Sequence, residues 1–195
     1  MKNKAVFLDR DGTINVDYGY VKSPDEVKIF DDVYEALKLL KSKGFLLIVV
    51  TNQSGVTRGL MTEEDVVATN EHINREIKQK IGIQIDKFYY CPYHPDFDGP
   101  EKAKCRKPSP FMVLQAQKDF NIDLNKSFFI GDTITDMQCA QNANVGGAIL
   151  VKTAKDNQIE KLKNYSKLKI DFIADNFADA AKFIIEQSNQ ILEEN

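Results

Sequence analysis

Cysteine is scarce in this 195-residue chain, which carries only Cys91, Cys105 and Cys139. So small and odd a number excludes the disulfide framework of a compact secreted domain. No apolar run approaches the ~18 residues of a membrane span. The N-terminal stretch also lacks the apolar segment of a signal peptide, so the expectation is a soluble, cytoplasmic protein with no membrane partner. Neither sign of charge dominates, with 26 Lys and Arg against 29 Asp and Glu for a net charge of −3. The clustered positive charge that nucleic-acid backbones demand is therefore missing, and no nucleic-acid partner is expected. There is no internal repeat and no low-complexity segment. What is present, 43% hydrophobic and 28% charged residues, is ordinary globular composition. At ~150 residues per domain the length predicts a single domain over 1–195.

Short apolar runs alternate with amphipathic stretches. Ala5-Val6-Phe7-Leu8 reads as a buried strand, and Phe45 to Val50 as a second, too short and too β-branched for a helix. Between them Val33, Ala36, Leu37 and Leu40 recur at helical spacing until Gly44. Thr62 with Asp65 predicts a capped helix start, with Val66, Ile73, Ile77 and Ile81 on one stripe ending at Gly82. A strand is expected at Lys87–Tyr90, and then a long irregular loop from Pro92 to Pro110 that holds five of the six prolines. Ser109-Pro110 predicts an N-cap followed by proline at the first helical position, with the helix running to about Phe120. Strands follow at Phe128–Ile130, Ala148–Val151 and Asp171–Ile173, with helices at about Asp136–Asn144 and Ala178–Leu192. This alternation predicts an α/β, Rossmann-like parallel sheet with helices on both faces and no large cap domain. Ligands in such sheets bind beyond the carboxyl ends of the strands.

Four polar segments sit at those ends. Asp9-Arg10-Asp11-Gly12-Thr13 places two carboxylates on one side of an extended backbone. A calcium loop of the EF-hand kind is rejected, because its glycine comes sixth and its glutamate twelfth. Thr51-Asn52-Gln53-Ser54-Gly55 offers a hydroxyl, amides and backbone N–H groups suited to phosphate oxygens. Arg106-Lys107-Pro108 supplies adjacent cations for a phosphoryl group and a second anion. Gly131-Asp132 with Asp136 returns carboxylates suited to Mg²⁺. Singly each segment reads as a turn, a cap or a solvated pair; the four together in this order do not.

The set Asp9-x-Asp11-Gly12-Thr13, Thr51-Asn52-Gln53, Lys107-Pro108 and Gly131-Asp132 resembles the motif series of the haloacid dehalogenase-type phosphatases. More narrowly, Phe7 to Asn15 with Asp17-x-Gly19-Tyr20-Val21, Val50 to Val56 with Arg58-Gly59, and Cys91-Pro92…Cys105-Arg106-Lys107-Pro108 resemble the D-glycero-D-manno-heptose 1,7-bisphosphate 7-phosphatases. The resemblance runs from about residue 4 to about residue 151. It implies Mg²⁺-dependent removal of the 7-phosphate from a sugar bisphosphate in cell-surface heptose synthesis; short insertions and the lack of sustained apolar heptads separately lead to the expectation of a monomer. Asp9 would be the nucleophile, giving an aspartyl-phosphate, and Asp11 the acid and base. Of these two carboxylates in one anionic site, one is expected to stay protonated for the acid step. Mg²⁺ would sit on Asp9, the Asp11 backbone carbonyl and Asp132. Thr51, Asn52 and Lys107 would stabilise the transferring group, and Asp17, Tyr18, Gly19, Tyr20, Gln53, Ser54 and Arg106 would hold the rest of the substrate.

The chain departs from that family in two places. Members commonly carry a zinc site of the form Cys-x-His plus Cys-x-Cys in the long loop. Here the first half reads Cys91-Pro92-Tyr93-His94 and the second Ala103-Lys104-Cys105. Cys91, His94 and Cys105, with Asp96 or Asp98 as a fourth ligand, make a degenerate site, and four closed ligands are the rule; the reading weighs against zinc and leaves the cysteines as small buried hydrophobes. Thr133 stands where the family often has lysine. The alternatives left open are a histidinol-phosphate phosphatase, a polynucleotide 3′-phosphatase and a non-catalytic sugar-phosphate binding module. The anomer preference is not legible in the sequence.

Overall fold

A computed structural model describes residues 2–193. Its centre is one six-stranded sheet of order β3-β2-β1-β4-β5-β6, every adjacent pair parallel. The strands are β1 Lys4–Leu8, β2 Phe45–Asn52, β3 Lys87–Cys91, β4 Phe128–Gly131, β5 Gly147–Val151 and β6 Phe172–Ala174. The helices are α1 Val33–Ser42, α2 Glu63–Ile81, a single turn α3 Pro95–Asp98, α4 Phe111–Phe120, α5 Ile134–Asn142, a short α6 Gln158–Lys161 and α7 Phe177–Glu193. Among the described residues no helix is long and apolar enough to cross a membrane.

The strands are apolar on both faces because helices cover both. Val6 and Leu8 of β1, Leu47 and Val49 of β2, Ile130 and Ile149 pack with α1, α2 and α7. Ala5 and Phe7, Ile48 and Val50, Phe129 and Leu150 point the other way, onto α4 and α5. Strand periodicity thus divides one run of apolar sequence between two cores.

Strand order reverses beside β1. The chain steps from β1 outward to β2 and β3, then crosses to β4 on the other side of β1 and continues outward to β5 and β6. The crevice beyond β1 and β4 is the switch point where such sheets take ligands.

The expected elements are present, with shifts of a residue or two at their ends. Pro110 occupies the N-cap position of α4 itself, and Ser109 Oγ accepts from the Phe111 N–H at 3.3 Å, so that cap lies one residue later than expected. The fifth helix starts at Ile134, earlier than the expected Asp136, because Thr133 and Asp136 form a reciprocal capping box. The long loop is less irregular than its prolines suggest, holding α3 and a 3₁₀ turn at Lys102–Cys105.

Candidate active site

Beyond β1, β2 and β4 lies a cleft of about 310 Å³ lined by Asp9, Asp11, Asp17, Gly19, Thr51, Asn52, Arg106, Lys107, Asp132, Thr133, Thr135 and Asp136. Hollows of about 350 Å³ exist elsewhere on the surface. Convergent chemistry, not size, distinguishes this one. The sequence-named Asp9, Asp11, Asp17, Gly19, Thr51, Asn52, Arg106, Lys107 and Asp132 all reach it.

Glycines at the strand ends make the convergence possible. Gly12 has φ +84°, and a Cβ there would come within 2.1 Å of Asp132 Oδ2. At Gly131 a Cβ would meet that of Asp136 at 2.4 Å. Gly12 therefore clears space for a carboxylate arriving from a distant segment, and Gly131 for one five residues further along its own.

Asp9, Asp132 and Asp136 bring carboxylate oxygens within 4.8 Å of one another. The balancing charge is Lys107, 3% exposed, whose ammonium reaches Asp9 Oδ1 at 2.8 Å and Asp136 Oδ1 at 2.6 Å and donates to the Val50 carbonyl at 2.9 Å. All three of its N–H donors are committed. Burial works against that ammonium, but the Asp136 and Asp9 charges more than offset it and hold its pKa above the ordinary lysine value. One ammonium does not balance three carboxylates. Burial first, then the Asp136 charge, pushes Asp9 up to about 7 despite the pull of Lys107. Burial, with Asp9 and Asp136 as neighbours, pushes Asp132 up to about 9.

These are the marks of a cation site. Asp132 is 4% exposed, and its only side-chain hydrogen bond among the described residues is a long one, 3.3 Å, from Thr13 Oγ1. The Asp11 backbone carbonyl accepts no hydrogen bond among the described residues. Asp136 is different: its Oδ2 accepts from the Thr133 N–H and Oγ1 at 3.1 and 2.6 Å, and its Oδ1 faces Lys107. Asp9, the Asp11 carbonyl and Asp132 thus have capacity for a divalent ion, and Asp136 serves to hold Lys107 and cap α5.

A stability prediction follows from those pKa directions. Unfolded, both carboxyls ionise near pH 3.9; folded and metal-free, Asp9 and Asp132 keep protons up to about 7 and about 9. The folded state therefore binds more protons than the unfolded state through that window, and stability falls as pH rises across it. Lys107, raised from an already high value, acts only above the window, and Asp11, lowered, only below it. Metal-free protein is expected to lose at least about 2 kcal/mol, or roughly 5 °C in Tm, between about pH 5 and about pH 8.5. Excess Mg²⁺ should restore Tm far more at the higher pH; equal shifts at both, read by thermal melting, would refute carboxylate repulsion as the cause.

Asp11 is arranged in the opposite sense. Its carboxylate accepts from Arg10 Nε and an Arg10 terminal nitrogen at 3.2 and 2.8 Å, from Asn15 at 2.9 Å and from Gln53 at 2.8 Å. Burial alone would raise its pKa, but the Arg10 charge and these hydrogen bonds together hold it below the usual value. Of the two motif aspartates, the nucleophile candidate is the one pushed toward the neutral form in the metal-free protein, and the acid candidate is kept ionised.

Several assignments made from sequence change in the structure. Asn52, which lines the cleft, donates to the Lys107 carbonyl at 3.2 Å and accepts from the Lys107 N–H at 3.0 Å, so its amide also fixes the lysine segment. Gln53 Nε2 is spent on Asp11 and Thr51. Ser54, Tyr18 and Tyr20 do not line the cleft; Tyr18 is exposed, and the Tyr20 ring lies against Gly55. Arg106 does line it, with a buried terminal nitrogen lacking any partner among the described residues, and its pKa is lowered by burial and the nearby Arg58.

Cys91 and Cys105 are joined by a disulfide, which the sequence reading did not foresee either as a metal site or as free thiols. Both sulfurs are spent on each other. His94 Nδ1 caps α3 by accepting from the Asp96 N–H, and Asp98 accepts from Thr57 and the His94 N–H. The bond ties the end of β3 to the residue before Arg106.

Known proteins agree with this geometry. A family profile described as HAD-hydrolase-like matches residues 104–180. The D-glycero-β-D-manno-heptose-1,7-bisphosphate 7-phosphatase of Yersinia pestis is 43% identical over 183 residues, covering 92% of this chain and 94% of the relative. That of Escherichia coli K12 is 40% identical over 186 residues, covering 94% of each. The crystal structure of the D,D-heptose 1,7-bisphosphate phosphatase from B. bronchiseptica, complexed with magnesium and phosphate, superposes with a TM-score of 0.81 at 30% identity, covering 94% of this chain and 99% of that one. With its aspartate pair, buried lysine and distal aspartate assembled at one switch point, the chain belongs to the D-glycero-β-D-manno-heptose-1,7-bisphosphate 7-phosphatase family of HAD-type phosphatases.

Proposed function

We propose that this chain removes the 7-phosphate of D-glycero-β-D-manno-heptose 1,7-bisphosphate through an aspartyl-phosphate at Asp9. The observation that carries the reading is the placement of Asp9: its Oδ1 is fixed by the Arg10 N–H at 2.7 Å and the Lys107 ammonium at 2.8 Å, in a cleft also lined by Arg106, one terminal nitrogen of which has no partner among the described residues. A carboxylate held on one oxygen attacks with the other. Arg106 supplies donors for an anion away from the reacting phosphorus, as a bisphosphate requires. The names of the relatives support the β anomer.

Asp9, the Asp11 carbonyl and Asp132 would hold Mg²⁺, which when bound neutralises charge between carboxylate and phosphoryl oxygens. Thr51, 1% exposed and on the cleft wall, offers its hydroxyl to the transferring group. Asp11 carries the proton of the leaving oxygen. Its anion is favoured in the free protein, and the charge of a bound phosphoryl group, being of like sign, raises its proton affinity when substrate arrives. In the second half-reaction the four hydrogen bonds that favour its anion are again in place, and it takes a proton from the attacking water.

Phosphate release from both heptose bisphosphate anomers, histidinol phosphate and a 3′-phosphorylated oligonucleotide tests the substrate. The β bisphosphate is expected to turn over with the highest kcat/KM; preference for histidinol phosphate or the oligonucleotide would overturn the assignment.

A further inference from the structure

Arg10 lies between the two motif aspartates and is fully buried. One edge of its guanidinium forks onto both oxygens of Asp11, and the opposite terminal nitrogen donates to Asn70 Oδ1 at 3.0 Å. Asn70 sits on α2 and is 6% exposed. No residue of α2 lines the catalytic cleft. Yet one of its side chains reaches the acid–base group with a single residue between.

A planar guanidinium gripping a carboxylate by two bonds can still pivot about that shared edge; a third bond at the far corner fixes its plane. Asn15 and Gln53 hold the Asp11 oxygens with neutral donors, so Arg10 is the one charged contact that sets where the carboxylate lies. A displacement of about 1 Å at such a group costs on the order of a hundredfold in rate.

We propose that Asn70 is a positioning residue for catalysis, holding the Arg10 guanidinium in the plane that places the Asp11 carboxylate for proton transfer to the leaving oxygen. The proposal rests on the assignment of Asp11 as proton carrier. The bland alternative is that Asn70 merely satisfies a buried donor. That role would affect folding stability, and would affect all substrates alike.

The test uses Asn70→Leu, which removes the acceptor at similar size, and Asn70→Asp, which keeps it. Each is assayed for kcat and KM on the heptose bisphosphate and on p-nitrophenyl phosphate, with thermal melting in parallel. A sugar alkoxide needs a proton to leave and p-nitrophenolate does not. Asn70→Leu is expected to lose about tenfold in kcat on the sugar phosphate, with KM within about twofold, and to lose less than about threefold on the aryl ester. Asn70→Asp is expected to stay within about threefold of the parent on both. If leucine prevents folding, Asn70→Ala is judged by the same criteria. Full activity without the acceptor, equal losses on both substrates, or an aspartate variant as impaired as the leucine one would each overturn the proposal. Asp11→Asn separates the two levels. If it retains sugar-phosphate turnover, the Asp11 assignment itself fails; if it is inactive beside a fully active Asn70→Leu, only the role of Asn70 fails.

Discussion

Asp9→Asn is expected to yield a folded protein whose phosphate release falls on the order of 10⁴-fold or more. The substitution changes one atom and keeps an oxygen for the Arg10 N–H and Lys107, so the turn after β1 has no reason to move. It removes the nucleophilic carboxylate, and an amide does not form the phosphoryl ester. The effect on stability runs the other way. Asp9 has its pKa pushed up to about 7 by burial and by Asp136, so at neutral pH its charge is a cost to the metal-free fold. Deleting that charge leaves Lys107 balanced against Asp136 alone and relieves Asp132, whose own pKa is raised in part by Asp9. Metal-free Asp9→Asn should therefore melt at or above the parent near about pH 8. Single-turnover phosphate release and a melting curve on the same preparation check both halves. Turnover within about tenfold of the parent would remove Asp9 from the nucleophile's place.

How much of this was readable beforehand depends on how far apart the partners lie in sequence. The strands announced themselves because apolar runs buried on both faces admit few other readings, and the polar residues closing β1, β2 and β4 marked the switch point. The aspartate at 132 was found for the same reason. What escaped were contacts made across the fold. Arg10 stands between two aspartates in the sequence, and nothing local says that Asn70, 60 positions away, receives it. Asn52 and Gln53 belong to a segment that reads as phosphate-binding, and nothing local says that their amides also hydrogen-bond to Lys107 and Asp11. The Thr133–Asp136 box did carry a local signal, threonine with a carboxylate three residues on, the same spacing that revealed the start of α2. Attention to metal chemistry at Asp136 obscured it. The Cys91–Cys105 bond lay hidden behind a zinc pattern missing one cysteine.

Lys107→Met should be the most destabilising single change at the site. The ammonium is buried, with Asp9, Asp136 and the Val50 carbonyl as its partners, and methionine matches its stem but serves none of them. Removing one side of a buried ion pair costs about 3–5 kcal/mol, because the remaining charge stays in place without compensation. For a chain of this size that is a fall in Tm of roughly 10 °C. The loss should shrink as pH drops. Lys107 restrains the upward shift of Asp9, and without it Asp9 takes up a proton more readily and sheds the charge that has lost its partner. Adding Asp136→Asn to Lys107→Met removes the other stranded charge but keeps an oxygen able to cap α5 through Thr133. The double variant is expected to recover more than about half of the lost stability and none of the activity, since Asp9 is still left without its ammonium. A double-mutant cycle by thermal melting, run beside a phosphate-release assay, separates the two roles. If the second substitution recovers no stability, the cost of losing Lys107 is one of packing and not of charge. If it restores turnover, Lys107 holds Asp136 and not the nucleophile.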